Sequence, residues 1–234
     1  MTISILTLFP EMFVGPFSHS IVKNAVRKGL IDINFVNIRN FGIGKHKIVD
    51  DKPYGGGKGM ILRVDVLYKA IEYAKKSFKK KNPKQKVILM EPSGIKYSQK
   101  KAAEYSGLDH LIIVCGRYEG FDARIKKFTN EQISIGDYIL TGGEIPAMVI
   151  TDSVTRLKKG VISKEASSIE SFSNENDSKT LLEYHQYTRP DKFKNISVPK
   201  ILLSGDHKKI EEWRKSSSFN ITKKNRPDLL SSKG

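Results

Sequence analysis

A chain of 234 residues, 38% hydrophobic and 28% charged, can bury one medium core plus a small appendage, and no apolar run approaches the roughly 20 residues that span a bilayer. Its 41 Lys and Arg against 25 Asp and Glu leave a formal charge of +16, which draws a chain toward polyanions, although a lysine-rich solvated surface gives the same excess. The lone Cys115 excludes an internal disulfide and a cysteine-based metal site. Together with a start, Met1-Thr2-Ile3-Ser4, that lacks the basic segment of an export signal, it leads to the expectation of a cytoplasmic protein.

In chain order, Thr2–Leu8 and Ile31–Ile38 read as strands, with a helix between them that Ser18 opens and Gly29 closes. The segment from Asn37 to Leu62 has little period of its own. Asp65 then opens a helical pattern through Val66, Leu67, Ala70, Ile71 and Ala74, and the lysines from Lys75 to Lys86 read as its solvated end and turn. Strands follow at Lys86–Met90, His110–Cys115 and Gln132–Ile135. A helix capped by Ser98 ends near Gly107, and another runs from near Pro146 to Leu157. This alternation predicts an α/β layer with a mostly parallel sheet over residues 1–160. The polar stretch 161–178 reads as a flexible linker or lid. Residues 179–234 read as a small, basic, helical unit in which Gly205-Asp206 caps a helix carrying Ile210 and Trp213.

Four stretches carry chemistry. The first, Val49 to Met60, holds Asp50, Asp51 and a run of glycines, which give the backbone positive φ or close approach to a ligand. It is not a nucleotide P-loop, because Lys52 stands where the first glycine is needed and Gly59 where Ser or Thr is needed. As a bare glycine cluster it fits a surface loop as well as a ligand loop. The others follow strand ends: Glu91-Pro92-Ser93-Gly94, Gly116-Arg117-Tyr118-Glu119-Gly120, and Ile135-Gly136 through Gly142-Gly143-Glu144. Each alone is an ordinary turn. Three at the carboxyl ends of strands predict one pocket for a small ligand. The histidines show no ligand spacing, and no Ser/His/Asp arrangement stands out.

Leu8-Phe9-Pro10-Glu11-Met12-Phe13, Val49 to Met60, Val114 to Gly120, Ser134 to Tyr138, Gly142 to Ala147, Tyr187-Thr188-Arg189-Pro190 and Arg226 to Leu230 together resemble, in order and spacing, the bacterial tRNA (guanine-N1)-methyltransferases of the SPOUT class. That resemblance implies a deep trefoil knot at the C-terminal side of the sheet. It also implies S-adenosylmethionine held bent by the three strand-end loops. By motif, Pro92, Gly94, Gly116, Tyr118, Glu119, Gly120, Ser134, Ile135, Gly136, Tyr138, Leu140, Gly142, Gly143 and Pro146 would bind it, with Glu119 at the methionine end.

The resemblance further implies an arginine and an acid at the reacting guanine. Arg156 matches the arginine, and Glu170, followed by Ser171-Phe172, stands where the family has aspartate; Glu165 and Asp177 are the alternative carboxylates. Asp50, Lys58 and Gly59 would touch the nucleotides beside the anticodon, and Arg189 and Arg214 belong to the unit that would hold the tRNA anticodon stem-loop. The family is homodimeric with a shared site, and Mg2+ can assist transfer, although no carboxylate cluster marks an ion site. The expected reaction is methylation of N1 of the guanosine 3′ of the anticodon. The alternatives are a SPOUT enzyme for another RNA position and a non-catalytic RNA-binding protein.

Overall fold

The computed structural model describes residues 1–163, 170–172 and 180–230. The chain forms two compact units, Met1–Ile162 and Ser163–Gly234. Much of the stretch read as a flexible linker, 161–178, lies outside the described residues, as do Glu165 and Asp177.

In the first unit β1 (Thr2–Thr7) lies between β2 (Asp32–Asn37) and the strand His110–Val114. After β1 come two short helices, α1 (Val14–Phe17) and α2 (Ser20–Arg27). The segment after β2 is not structureless: it contains a small antiparallel hairpin, β3 (Asp50–Asp51) with β4 (Ile61–Leu62). The helix α3 (Val64–Ser77) leads to β5 (Gln85–Lys96), α4 (Gln99–Ser106), β6 (His110–Val114), β7 (Glu131–Ser134) and α5 (Glu144–Arg156). The five-stranded sheet is parallel throughout, in the order β2-β1-β6-β5-β7.

Period-two alternation in the strands divides the core between two faces. Leu6, Ile112 and Val114 pack under α3 with Leu67, Ala70 and Ile71, whereas Ile3, Ile5, Leu111 and Ile113 pack with Ala147, Ile150 and Val154 of α5. A polar relay interrupts the α3 face where the strands begin. His110, fully buried, bonds Ser4 Oγ at 2.8 Å and Gln85 Nε2 at 2.6 Å, and the tilted Phe78 ring lies 4.7 Å from it, centre to centre. Burial holds its pKa down to about 4, so the ring is neutral at ordinary pH.

Three sequence readings need correction. The caps expected of Ser18 and Asp65 fall on His19 and Arg63 instead, with Asp65 inside the first turn of α3. Glu91-Pro92-Ser93-Gly94 is no turn after a strand but a bulged continuation of β5, whose register on β7 shifts between Met90 and Ile95. Gly94 permits this: a Cβ there would stand 2.4 Å from the Gln132 carbonyl carbon and the Ile133 nitrogen. By contrast Ser98 does cap α4, its hydroxyl accepting from Lys101 N–H.

The second unit is not purely helical. A hairpin of β8 (Lys192–Phe193) and β9 (Ile196–Ser197) precedes a 3-10 turn and α6 (His207–Asn225). As the sequence predicts, Asp206 caps α6, accepting from Lys209 N–H at 3.2 Å. The segment before the hairpin docks on this helix: Leu182 N–H donates to Thr222 Oγ1 at 2.9 Å, and Tyr187 faces Trp213 at 6.1 Å.

Candidate active site

The bulged part of β5 and the carboxyl ends of β6 and β7 open into a cleft of about 420 Å³, lined by Met90 to Ser93, Gly116 to Phe121, Ile133 to Gly136, Tyr138 to Gly143, and Pro146. Its walls meet because glycines let them. Gly143 N–H donates to Gly116 O at 2.8 Å, and a Cβ on Gly143 would sit 2.6 Å from Gly116 N and 2.7 Å from Cys115 Cα. Gly120 N–H closes a turn on Arg117 O at 3.0 Å, with Tyr118 at φ +58° and Gly120 at +112°. Gly136, at φ +152°, exchanges contacts with Ser134 Oγ, and Tyr138 folds back over it so closely that a Cβ would meet the ring at 2.5 Å.

Behind the cleft lies a buried ion pair that the sequence reading did not single out. Glu144, 1% exposed in the first turn of α5, accepts from Thr7 Oγ1 at 2.8 Å and stands 3.0 Å from Arg117 Nε. The pair lacks hydrogen-bond alignment, leaving Glu144 Oε2 and Arg117 Nε without a directed partner, so the contact is mainly charge on charge. A helix N-terminus favours the carboxylate there. The Arg117 guanidinium lies 4.5 Å over Phe9 and donates to Thr141 O at 3.2 Å. It thereby ties the loops after β1, β6 and β7. A Cβ on Gly142 would intrude to 2.6 Å on both members of the pair. Cys115, wholly buried at the end of β6, has its thiol pKa pushed well up by burial and by nearby Glu144, which keeps it an inert core group.

Of the residues that the resemblance assigned to the cofactor, all but Gly94 line this cleft. Gly94 acts one step away, seating β5 on β7. Glu91, on the rim, is ion-paired to Lys126 Nζ at 2.8 Å. The glycine-rich segment reaches the same place. Glu119 N–H donates to Met60 O at 3.0 Å, Leu62 N–H to Gly120 O at 2.9 Å, and Gly59 is so close to Glu119 that a Cβ would lie 2.5 Å from its Cγ. Asp50 stands half-buried in the hairpin, and Lys58 is exposed.

Arg156 ends α5 and is half-buried. Glu170 belongs to the second unit, beside two anchored residues: Ser171 Oγ accepts from Glu183 N–H at 2.9 Å, and Phe172 N–H donates to Leu181 O at 3.2 Å. Arg214 lies half-buried with its guanidinium 5.0 Å over Tyr184, while Arg189 borders a shallow hollow with Tyr187, Pro190 and Leu202. Among the described residues no three His, Cys, Asp or Glu gather as a metal cluster, and no helix is long and apolar enough to cross a membrane.

Residues 1–232 match the family model described as tRNA (Guanine-1)-methyltransferase TrmD. A tRNA (guanine-N(1)-)-methyltransferase of Carboxydothermus hydrogenoformans is 51% identical, with 100% of this chain and 89% of the relative covered. Those of Geobacillus kaustophilus, at 50%, and Staphylococcus epidermidis, at 46%, each cover 98% of this chain and 91% of their own length. With the family model matched over residues 1–232 and relatives about half identical over nearly the whole chain, the chain belongs to the tRNA (guanine-N1)-methyltransferase family.

Proposed function

We propose that this enzyme, in the cytoplasm, transfers a methyl group from S-adenosylmethionine to N1 of the guanosine immediately 3′ of the anticodon of a tRNA. The observation that carries this reading is the cleft whose walls meet only because Gly116, Gly142 and Gly143 lack side chains, with the glycine-rich loop docked on its rim. Its volume is that of a small-molecule site, so the residues present fit the cofactor. When bound, S-adenosylmethionine supplies an electrophilic methyl on a sulfonium. Backbone groups of the cleft's loops would hold the adenine, and Glu119 would face the methionine end.

N1 of guanine carries a proton and is a poor nucleophile. Glu170 would remove that proton, and Arg156 would stabilise the charge that develops on O6. Asp50, Lys58 and Gly59 would meet the neighbouring nucleotides, and Arg189 and Arg214 would engage the tRNA from the second unit. The test is transfer of labelled methyl to an undermodified tRNA pool, followed by nucleoside analysis. Label in 1-methylguanosine is expected; label on ribose or on another base would refute the reading.

The proposal extends to assembly and threading. Exposed Met12, Val14, Ile21, Phe35, Ile145 and Val149 leave large apolar groups open to solvent near α1, α2 and α5, which supports a homodimer with a shared site. Mixing Arg156→Ala with Glu170→Gln subunits should then restore activity that neither variant has alone. A fully active monomer in sedimentation would overturn it. The jump from β6 past β5 to β7, with the following loop returning to Gly116, supports a knotted path.

The glycine contacts give a further expectation. Gly143→Ala forces a Cβ to 2.6 and 2.7 Å from the backbone of Gly116 and Cys115 and should cost about 1–3 kcal/mol, the usual range for overpacking. Thermal unfolding with and without S-adenosylmethionine would measure it, and the stabilisation by ligand should shrink. An unchanged ligand-induced shift would show that the loops separate without consequence for binding.

A further inference from the structure

We infer that Tyr54 is a stacking platform for an unpaired base of the RNA substrate, fixed at the rim of the cofactor cleft; this rests on the RNA-methylating function proposed above. The ring is 98% exposed, an unfavourable place for an aromatic side chain unless something covers it. Yet the backbone beneath it is organised. Gly56 N–H donates to Pro53 O at 3.3 Å, closing a turn in which Tyr54 stands at the tip and Gly55 takes φ +83°.

The base of the loop is held twice. Asp50 and Asp51 pair with Leu62 and Ile61, and Met60 and Leu62 bond to Glu119 and Gly120 of the cleft wall. The tip is therefore carried at a set offset from the cleft, where a flipped guanine would enter. Lys52 and Lys58 are exposed on the same loop.

Three nearby acids are already engaged: Asp51 and Asp65 hold Arg63 at 2.8 and 3.1 Å, and Asp122 holds Arg124 at 2.6 Å. That leaves the loop lysines to face a phosphate backbone. An exposed aromatic between cations is how proteins grip single-stranded nucleic acid, since every base offers a π-face. Flipping the target from a loop also leaves its neighbour without a stacking partner, which Tyr54 would replace.

The experiment uses the full-length enzyme, Tyr54→Ala and Tyr54→Phe, an unmodified tRNA transcript, and transcripts with an abasic site at each nucleotide flanking the target. Tyr54→Ala should raise KM for tRNA about tenfold, as expected for one lost base–aromatic stack, while kcat and calorimetric S-adenosylmethionine affinity hold. Tyr54→Phe should behave as the parent, because the ring and not the hydroxyl is required. On the one abasic transcript that lacks the stacked base, the Tyr54→Ala penalty should vanish. An unchanged KM for Tyr54→Ala, or a penalty equal on every abasic transcript, would overturn the inference. Direct tRNA binding by fluorescence anisotropy reads the same contact without turnover. Misplacement of the methyl by the parent enzyme would therefore count against the proposed function and leave the Tyr54 result to be read separately.

Discussion

A tRNA transcript carrying adenosine in place of the target guanosine is expected to lose methyl transfer by about 10⁴ or more, while its binding stays near that of the parent transcript. Guanine presents an N1–H donor and an O6 acceptor on one edge, which an acid and an arginine read together. Adenine presents the reverse, a bare N1 and an amino group at position 6. Glu170 would then have no proton to remove, and Arg156 would face an amine. Phosphate contacts by the lysines of both units do not depend on the base, so affinity should survive and should weaken steeply with salt. Single-turnover transfer beside a gel-shift titration separates the two effects. Equal methylation of both transcripts would sink the assignment of the acceptor.

Glu170→Gln should keep S-adenosylmethionine affinity and lower single-turnover transfer by roughly 10²–10⁴, the usual cost of a lost general base. The amide is nearly isosteric and cannot accept the N1 proton. Arg156→Ala should fall comparably through lost charge stabilisation at O6. The chain neighbours of Glu170, Ser171 and Phe172, are tied independently to Glu183 and Leu181. Near-parental rates in Glu170→Gln would point to another carboxylate, such as Glu165 or Asp177.

Sequence periodicity was informative where a side-chain pattern decides the structure. The central strands β1 and β6 alternate between two buried faces, and α4 and α6 begin at a Ser and an Asp whose side chains do the capping. It failed where backbone-to-backbone proximity decides. Pro92 and Gly94 read as a turn, yet the carbonyl side of β7 lies so close to Gly94 that β5 continues through a bulge. The hairpin in the glycine-rich segment escaped because two-residue strands leave no period. Arg117 and Glu144 stood inside recognised motifs, but only the fold reveals that they form a buried pair across the cleft's loops. Linear spacing carries no signal for a contact between residues so far apart in the chain.

The strand order has a consequence for synthesis. β1 can pair with β2 as soon as Asn37 has emerged, but its other edge belongs to β6, with Thr2 opposite His110 and Leu6 opposite Val114. Until Val114 leaves the ribosome, a strand destined for the interior of the sheet shows an open row of amides and carbonyls. At about 5–20 residues per second that interval lasts roughly 4–15 s. The middle of the sheet is thus completed late, by a contact of long sequence separation that carries a large loop-closure cost. Nascent chains stalled between β2 and β6 should be the species that holding chaperones engage, and those released after Val114 should escape them.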